Sequence, residues 1–206
     1  MSDRPDHTIL LNRVRANYLF AYEPFKGKND AGQDTATYCA HGIMPLTHPD
    51  IPKLVALMKR VAIDAKGNEA DGLKLYEQLK AQDRLCIHFG NVNKPDRPEY
   101  KDMLYVSANG KKRPRILGRH REALQASDGK PYSGAWVNLH IDVWYQDGRK
   151  GGGQRINAQF MGVQHWEDDE RFGGGGRISE PEEFPQADDA DQAAPAVAGA
   201  NNDLLG

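Results

Sequence analysis

The sequence predicts a mainly β protein: a small barrel with a helical insertion between strands, followed by a disordered acidic tail. Three observations carry this reading. Alternating apolar and polar residues recur in short runs as far as Glu167, separated by clusters rich in Gly, Pro, Asn and Asp. One region, residues 49–82, has a helical period instead, and no regular strand–helix alternation points to a doubly wound sheet. From about Arg177 the periodicity stops and Ala, Pro, Asp and Glu take over. The expected organisation is a binding domain over 1–176 and a tail over 177–206.

The first strand lies in "RVRANYLFAY", with Val14, Ala16, Tyr18 and Phe20 on one face and Arg13, Arg15 and Asn17 on the other. A loop, "KGKNDAGQD", leads to a second strand near Thr35–Met44. A helix follows. Asp50 stands at the N-cap, Pro52 falls in the first turn, and Gly67 marks the stop. Ile51, Leu54, Val55, Met58, Val61, Ala62 and Ala65 form its apolar stripe. A shorter helix over Glu69–Gln82 places Leu73, Tyr76 and Leu79 on one side. Both helices are expected to cover a sheet.

Strands return at Leu85–Phe89 and Met103–Ser107. The last two form a hairpin. Val137, Leu139, Ile141, Val143 and Tyr145 alternate there with Asn138, His140, Asp142 and Trp144, so one face is buried. Trp136 and Trp144 fall on the face that should be wet, and the strand runs into the glycine-rich cationic turn "QDGRKGGG".

Charge separates the chain into two parts. Glu167–Gly206 carries eleven acids against two bases, while the rest carries 25 bases against 18 acids. A basic body joined to an acidic end suits a polyanionic ligand and a tail that imitates one. The two cysteines are too few for a disulfide framework, so a reducing cytoplasmic setting is expected. The polar composition includes no apolar run of membrane-spanning length, and the start of the chain carries no secretory pattern.

The densest basic segment is "GKKRPRILGRHR", in which Lys111, Lys112, Arg113, Arg115, Arg119 and Arg121 occur with no acid among them. Neutralised phosphates with released counterions relieve the repulsion of such a cluster. Arg149, Lys150 and Arg155 bracket the glycines of the hairpin turn. Tyr105, Tyr132, Trp136 and Trp144 lie near these cations. Exposed aromatics among cations fit unpaired bases, whose stacking is worth about 1–3 kcal/mol each and tolerates any sequence. Duplex DNA hides those base faces. The ordinary alternative is a solvated loop and aromatics packed at a barrel end.

Two Cys–x–His pairs, Cys39 with His41 and Cys86 with His88, would present a Cys₂His₂ set if their strands were neighbours. The spacing matches no usual zinc motif, and buried cysteines with polar-face histidines explain it more simply, so no metal or other cofactor is expected. The sequence contains no HExxH, GxSxG or P-loop pattern, and its carboxylates are scattered. Two rival readings remain: a metal-dependent nuclease, and an assembly or virion interaction protein using the basic face.

The stretch "YSGAWVNLHIDVWYQDGRKGGGQRINAQFMGVQHWEDDERFGGG" resembles the C-terminal core of a family of compact tailed-phage single-stranded DNA-binding proteins. The shared features are a "YSG" strand opening, an aromatic strand, a basic glycine turn, a strand ending "VQ" and a close of the form "ER-FGG". "RVRANYLFAYEPF" is similar to that family's first strand. The resemblance implies an OB-type barrel, binding with little sequence preference, and a part in replication, recombination or repair of a phage genome in the host cytoplasm. It also implies partners such as a polymerase, helicase or recombination protein, held by the tail through Glu180, Glu182, Glu183, Asp188, Asp189, Asp191, Asp203, Leu204 and Leu205. Two features depart from the family pattern. Asp168–Asp169 stands for an Asp-Gly pair, and the tail ends in "DLLG" where relatives end in an aromatic. The oligomeric state stays open, a homodimer included.

Overall fold

A computed structural model describes residues 6–28, 32–149 and 151–172. Seven strands and three helices lie among them: β1 Thr8–Lys28, β2 Asp34–Pro45, α1 Ile51–Lys66, α2 Glu69–Ala81, β3 Ile87–Phe89, α3 Gly90–Asn93, β4 Met103–Gly110, β5 Arg115–Leu117, β6 Trp136–Gly148 and β7 Gly153–Glu167. Residues 177–206, and with them all the tail positions named above, lie outside the described residues.

Strand pairing explains the barrel. The order β3-β4-β2-β1-β6-β7-β5 would leave an open sheet, but β4 also pairs with β7, in parallel, at Ala108–Ala158 and Asn109–Gln159. The cycle β1-β2-β4-β7-β6 therefore closes on itself. This is the five-stranded Greek-key barrel of the OB-fold, with β2 and β4 as its second and third strands. The predicted class and the helical insertion after the second strand are both present.

Inward residues of the long strands fill the core: Leu11, Val14, Val106, Leu139, Ile141, Val143 and Phe160 are all 1% exposed or less. The stripe of α1 closes one side with Leu54, Met58, Val61 and Ala62. Each such Leu or Met contributes roughly 2 kcal/mol by leaving water. In α2 the buried face is Gly72, Leu75, Tyr76 and Leu79, so Leu73 sits at its edge. Gly72 is needed there, because a Cβ would lie 2.4 Å from the Ile63 Cα.

Two local expectations are corrected. Asp50 stands at the N-cap of α1 as expected, but its side chain makes no cap hydrogen bond. Its buried carboxylate accepts from the Asn12 backbone N–H (2.9 Å), the Asn12 side chain (3.1 Å) and Lys53 (2.7 Å), tying β1 to the helix. Burial alone would raise its pKa, but these hydrogen bonds carry it below the ordinary value.

The alternation in β1 also fails. Arg13 and Tyr18 have positive φ (51° and 44°), and the pairing with β2 shifts register between Asn17 and Phe20. Such bulges re-aim the following side chains. Val14, Ala16 and Ala21 are buried, whereas Tyr18 and Phe20 leave the inward face.

Candidate nucleic-acid interface

The outer surface of the β2–β4 ribbon is divided into a covered half and an open half. The segment after β3 folds back over one end, where Tyr100 is fully buried together with Ile43 and Tyr105. Gly90 permits this approach: a Cβ there would lie 2.0 Å from the Tyr100 carbonyl oxygen. The Tyr100 hydroxyl and His41 Nδ1 share a 2.7 Å hydrogen bond, and Asn17 donates to Glu99 at 3.0 Å. Burial, aided by Lys94 and His88, pushes the His41 pKa down to about 3, so its ring is neutral.

Tyr105 is therefore not an exposed stacking platform. It is 5% exposed, with its ring packed between His41 at 4.8 Å and His88 at 5.2 Å. The zinc tetrahedron is not assembled either. Cys86 Sγ sits 3.7 Å from Met58 Sδ, towards α1, while Cys39 Sγ meets the Tyr18 carbonyl at 3.7 Å. His88 hydrogen-bonds Asp83 at 3.0 Å. Among the described residues no three His, Cys, Asp or Glu side chains are grouped to hold a metal.

The open half is polar and flanked by aromatics. Directly opposed residues run Phe20–Cys39–Asn109–Gln159–Asp142 across five strands. At one side Phe20 packs edge-on against Phe25 (5.2 Å), and Phe25 is 51% exposed. At the other, half-buried Trp144 shares an open depression with Thr37, Asn109, Lys111, Lys112 and Gln159. Trp144 also borders a second depression with Lys66, Gln146 and Arg149, so its ring stands between two cationic surfaces.

The cations come from two loops. Lys111 Nζ lies 3.5 Å from Thr37 Oγ1, at the end of β4. In the β6–β7 turn, Gln146 donates to the Gly151 carbonyl at 3.2 Å and the Gly153 carbonyl at 3.0 Å. Gly151, Gly152 and Gly153 all have φ between 71° and 91°, which side chains rarely adopt. Arg149 reaches Asp147 at 3.2 Å, and Arg155 stands opposite Gln146. Lys150 lies outside the described residues.

The basic segment is not one patch. Its "RIL" forms β5 along the β7 edge, from Arg115 opposite Gly162 to Leu117 opposite Gln164. Only Lys111 and Lys112 line the depression beside Trp144. Arg113 turns to the Tyr22 ring (5.6 Å) and Arg119 to the Trp166 ring (5.0 Å). Arg121 belongs to a turn that its N–H closes on the Gly118 carbonyl.

Tyr132 and Trp136 are engaged by the chain itself. The residues after β7 form a clasp: Trp136 Nε1 donates to Asp169 at 2.8 Å, and Tyr132 donates to Asp168 at 3.1 Å. Arg15 meets Asp169 at 2.7 Å, and its guanidinium lies between the Trp136 ring (5.2 Å) and the Phe172 ring (4.4 Å). Lys130 pairs with Asp168. Both carboxyls are held below the usual range, Asp168 chiefly by Lys130 and Asp169 chiefly by the Glu170 backbone N–H. Trp136 and Trp144 thus share a face of β6 but have different surroundings. Phe20 and Phe25 were not singled out as site residues, although both lie in "RVRANYLFAYEPF", the stretch similar to the family's first strand.

Comparison with known proteins places the chain among phage proteins. Residues 7–194 match the family described as Enterobacter phage Enc34, ssDNA-binding protein. Protein p50 of Acyrthosiphon pisum secondary endosymbiont phage 1 is 32% identical over 158 residues, covering 76% of this chain and 81% of that protein. The structure of the bacteriophage Enc34 single-stranded DNA-binding protein in complex with ssDNA superposes with a TM-score of 0.66 at 31% identity, covering 81% of this chain and 90% of that one. Gp2.5, a single-stranded DNA-binding protein encoded by bacteriophage T7, shares the fold at 11% identity, with a TM-score of 0.55 over 96% of this chain and all of that one.

Proposed function

The chain belongs to the family of the phage Enc34 single-stranded DNA-binding protein, and on that premise we propose that it binds single-stranded DNA with little sequence preference across the open half of its barrel. The observation that carries this reading is the placement of Trp144 and the Phe20–Phe25 pair on opposite sides of one polar surface, with Lys111 and Lys112 beside it. OB-folds take oligonucleotides on the face of their second and third strands, between the loops that follow strands one and four. Here the covered half leaves the end of that face nearest the β1–β2 loop, where Thr37 and Cys39 pair with Phe25 and Phe20. Bases stack on the aromatics while Lys111, Lys112, Arg149, Lys150 and Arg155 hold phosphates. Arg113, Arg115, Arg119 and Arg121 extend a weaker electrostatic track along β7 for longer strands.

The family is one of binding proteins, not enzymes. The biological setting that fits is replication, recombination or repair of a phage genome in the host cytoplasm. No helix among the described residues is long and apolar enough to cross a membrane. We assign Tyr132 and Trp136 to the clasp and not to base stacking. The acidic segment 177–206 is assigned two roles, competing with DNA for the basic face and recruiting polymerase, helicase or recombination proteins. Deleting it is expected to tighten DNA binding at low salt; unchanged affinity would remove the competitive role.

The direct test is a titration with oligo(dT) and with duplex of the same length at two salt concentrations. Salt-sensitive binding, far tighter for the single strand, is expected. Equal affinity for the duplex would show that unpaired bases are not what the aromatics recognise.

A further inference from the structure

The β6–β7 turn is held from outside as well as from within. Arg84, which connects α2 to β3, donates through Nη1 to the Gly152 carbonyl at 2.9 Å. Its own carbonyl accepts from the Ile156 N–H at 2.9 Å, and a Cβ on Gly153 would lie 3.6 Å from its Nη1. Within the turn, Gln146 takes the carbonyls of Gly151 and Gly153. Three successive glycine carbonyls thus each accept a side-chain donor, and the middle one is served from the helical insertion. Glycines sample more backbone conformations than any other residue, so a turn of this composition loses the most entropy on ordering. Side-chain anchors that set its shape beforehand remove that cost from the binding step.

We propose that Arg84 is a positioning residue of the nucleic-acid interface: it fixes Gly151–Gly153 of the β6–β7 turn from the end of the helical insertion, so that the arginines flanking the glycines face DNA already ordered. The helical insertion then does more than cover the core. It braces the loop that follows the fourth barrel strand. The proposal rests on the single-strand-binding reading for its consequence, but the brace itself is testable without DNA.

The experiment uses the full chain with Arg84→Ala and Arg84→Lys, and with Lys80→Ala as a control that removes one charge from the exposed face of α2. Limited trypsin digestion reads the turn directly, because Arg149 and Lys150 are cleavage points within it. Arg84→Ala is expected to speed cleavage there severalfold, Arg84→Lys to restore part of the protection, and Lys80→Ala to change nothing. Oligo(dT) affinity should fall about 5- to 10-fold in Arg84→Ala with the salt slope unchanged, the pattern of reduced preorganisation. Unchanged cleavage would overturn the brace. A slope shallower by about 0.7 with unchanged cleavage would make Arg84 a direct phosphate ligand instead. Faster cleavage in a protein whose wild type fails to bind oligo(dT) would keep the brace and sink the binding reading.

Discussion

Replacing Trp144 with alanine is expected to weaken oligo(dT) binding by about 1–3 kcal/mol, roughly 5- to 150-fold, with little change in salt slope. The indole is half-buried on the outer face of β6, between depressions lined by Lys111 and Lys112 on one side and by Lys66 and Arg149 on the other. Losing it removes a stacking surface but no charge, so the number of released counterions stays the same. Phe25→Ala should act in the same direction and more weakly, because its exposed ring packs against Phe20 alone in the aromatic pair. Trp136→Phe serves as the contrast. Its indole N–H is bonded to Asp169, so this change should loosen the clasp and leave the affinity close to wild type. Fluorescence anisotropy with labelled oligo(dT) at several salt concentrations measures all three. A Trp136→Phe loss as large as that of Trp144→Ala would move the interface to the clasp end of β6.

The double change Lys111→Gln and Lys112→Gln is expected to act on the slope. Each single-strand phosphate left without its cation flattens the dependence of log K on log salt by about 0.7, so the pair removes about 1.4. Between 50 and 200 mM salt the variant should then lose about sevenfold less affinity than wild type, while binding more weakly at the lower salt. Stability should hardly change, because both side chains are exposed. The corresponding change at Arg119 should have a smaller effect, since its guanidinium faces the Trp166 ring along β7, away from the Trp144 depression. An equal effect at Arg119 would mean that the whole basic segment meets DNA as one patch.

What the sequence disclosed depended on how local each feature was. The α1 stripe, the Gly67 stop and the alternation of β6 arise from neighbours within one element; the stop stands as read, the stripe holds except at exposed Ala65, and the alternation except at buried Asn138. Phe20 was misplaced because an alternating pattern cannot show where a bulge resets it; here the reset follows Asn17, whose Oδ1 accepts the Tyr18 N–H at 2.8 Å. Tyr105 does lie on the outward face, as its period demands, but the irregular segment just before β4 folds back and covers it through Tyr100. Trp136 was placed on the correct face, yet its partners come from Arg15 and Asp169, far away in sequence. The six cations of 111–121 looked like one cluster because spacing along a chain says nothing of the strand that divides them. The chemistry of each side chain was legible; the bulge, the fold-back and the distant partners that set its surroundings were not.

The most direct test of the account is tryptophan fluorescence during titration with oligo(dT), in the wild type and in Trp144→Phe, with duplex as the control. The account predicts strong, salt-sensitive quenching by the single strand in the wild type. Most of that quenching should vanish in Trp144→Phe, because Trp136 and Trp166 stay with Arg15 and Arg119. Quenching that survives the loss of Trp144, or equal quenching by duplex, would contradict the claim that unpaired bases stack on the open half of the barrel.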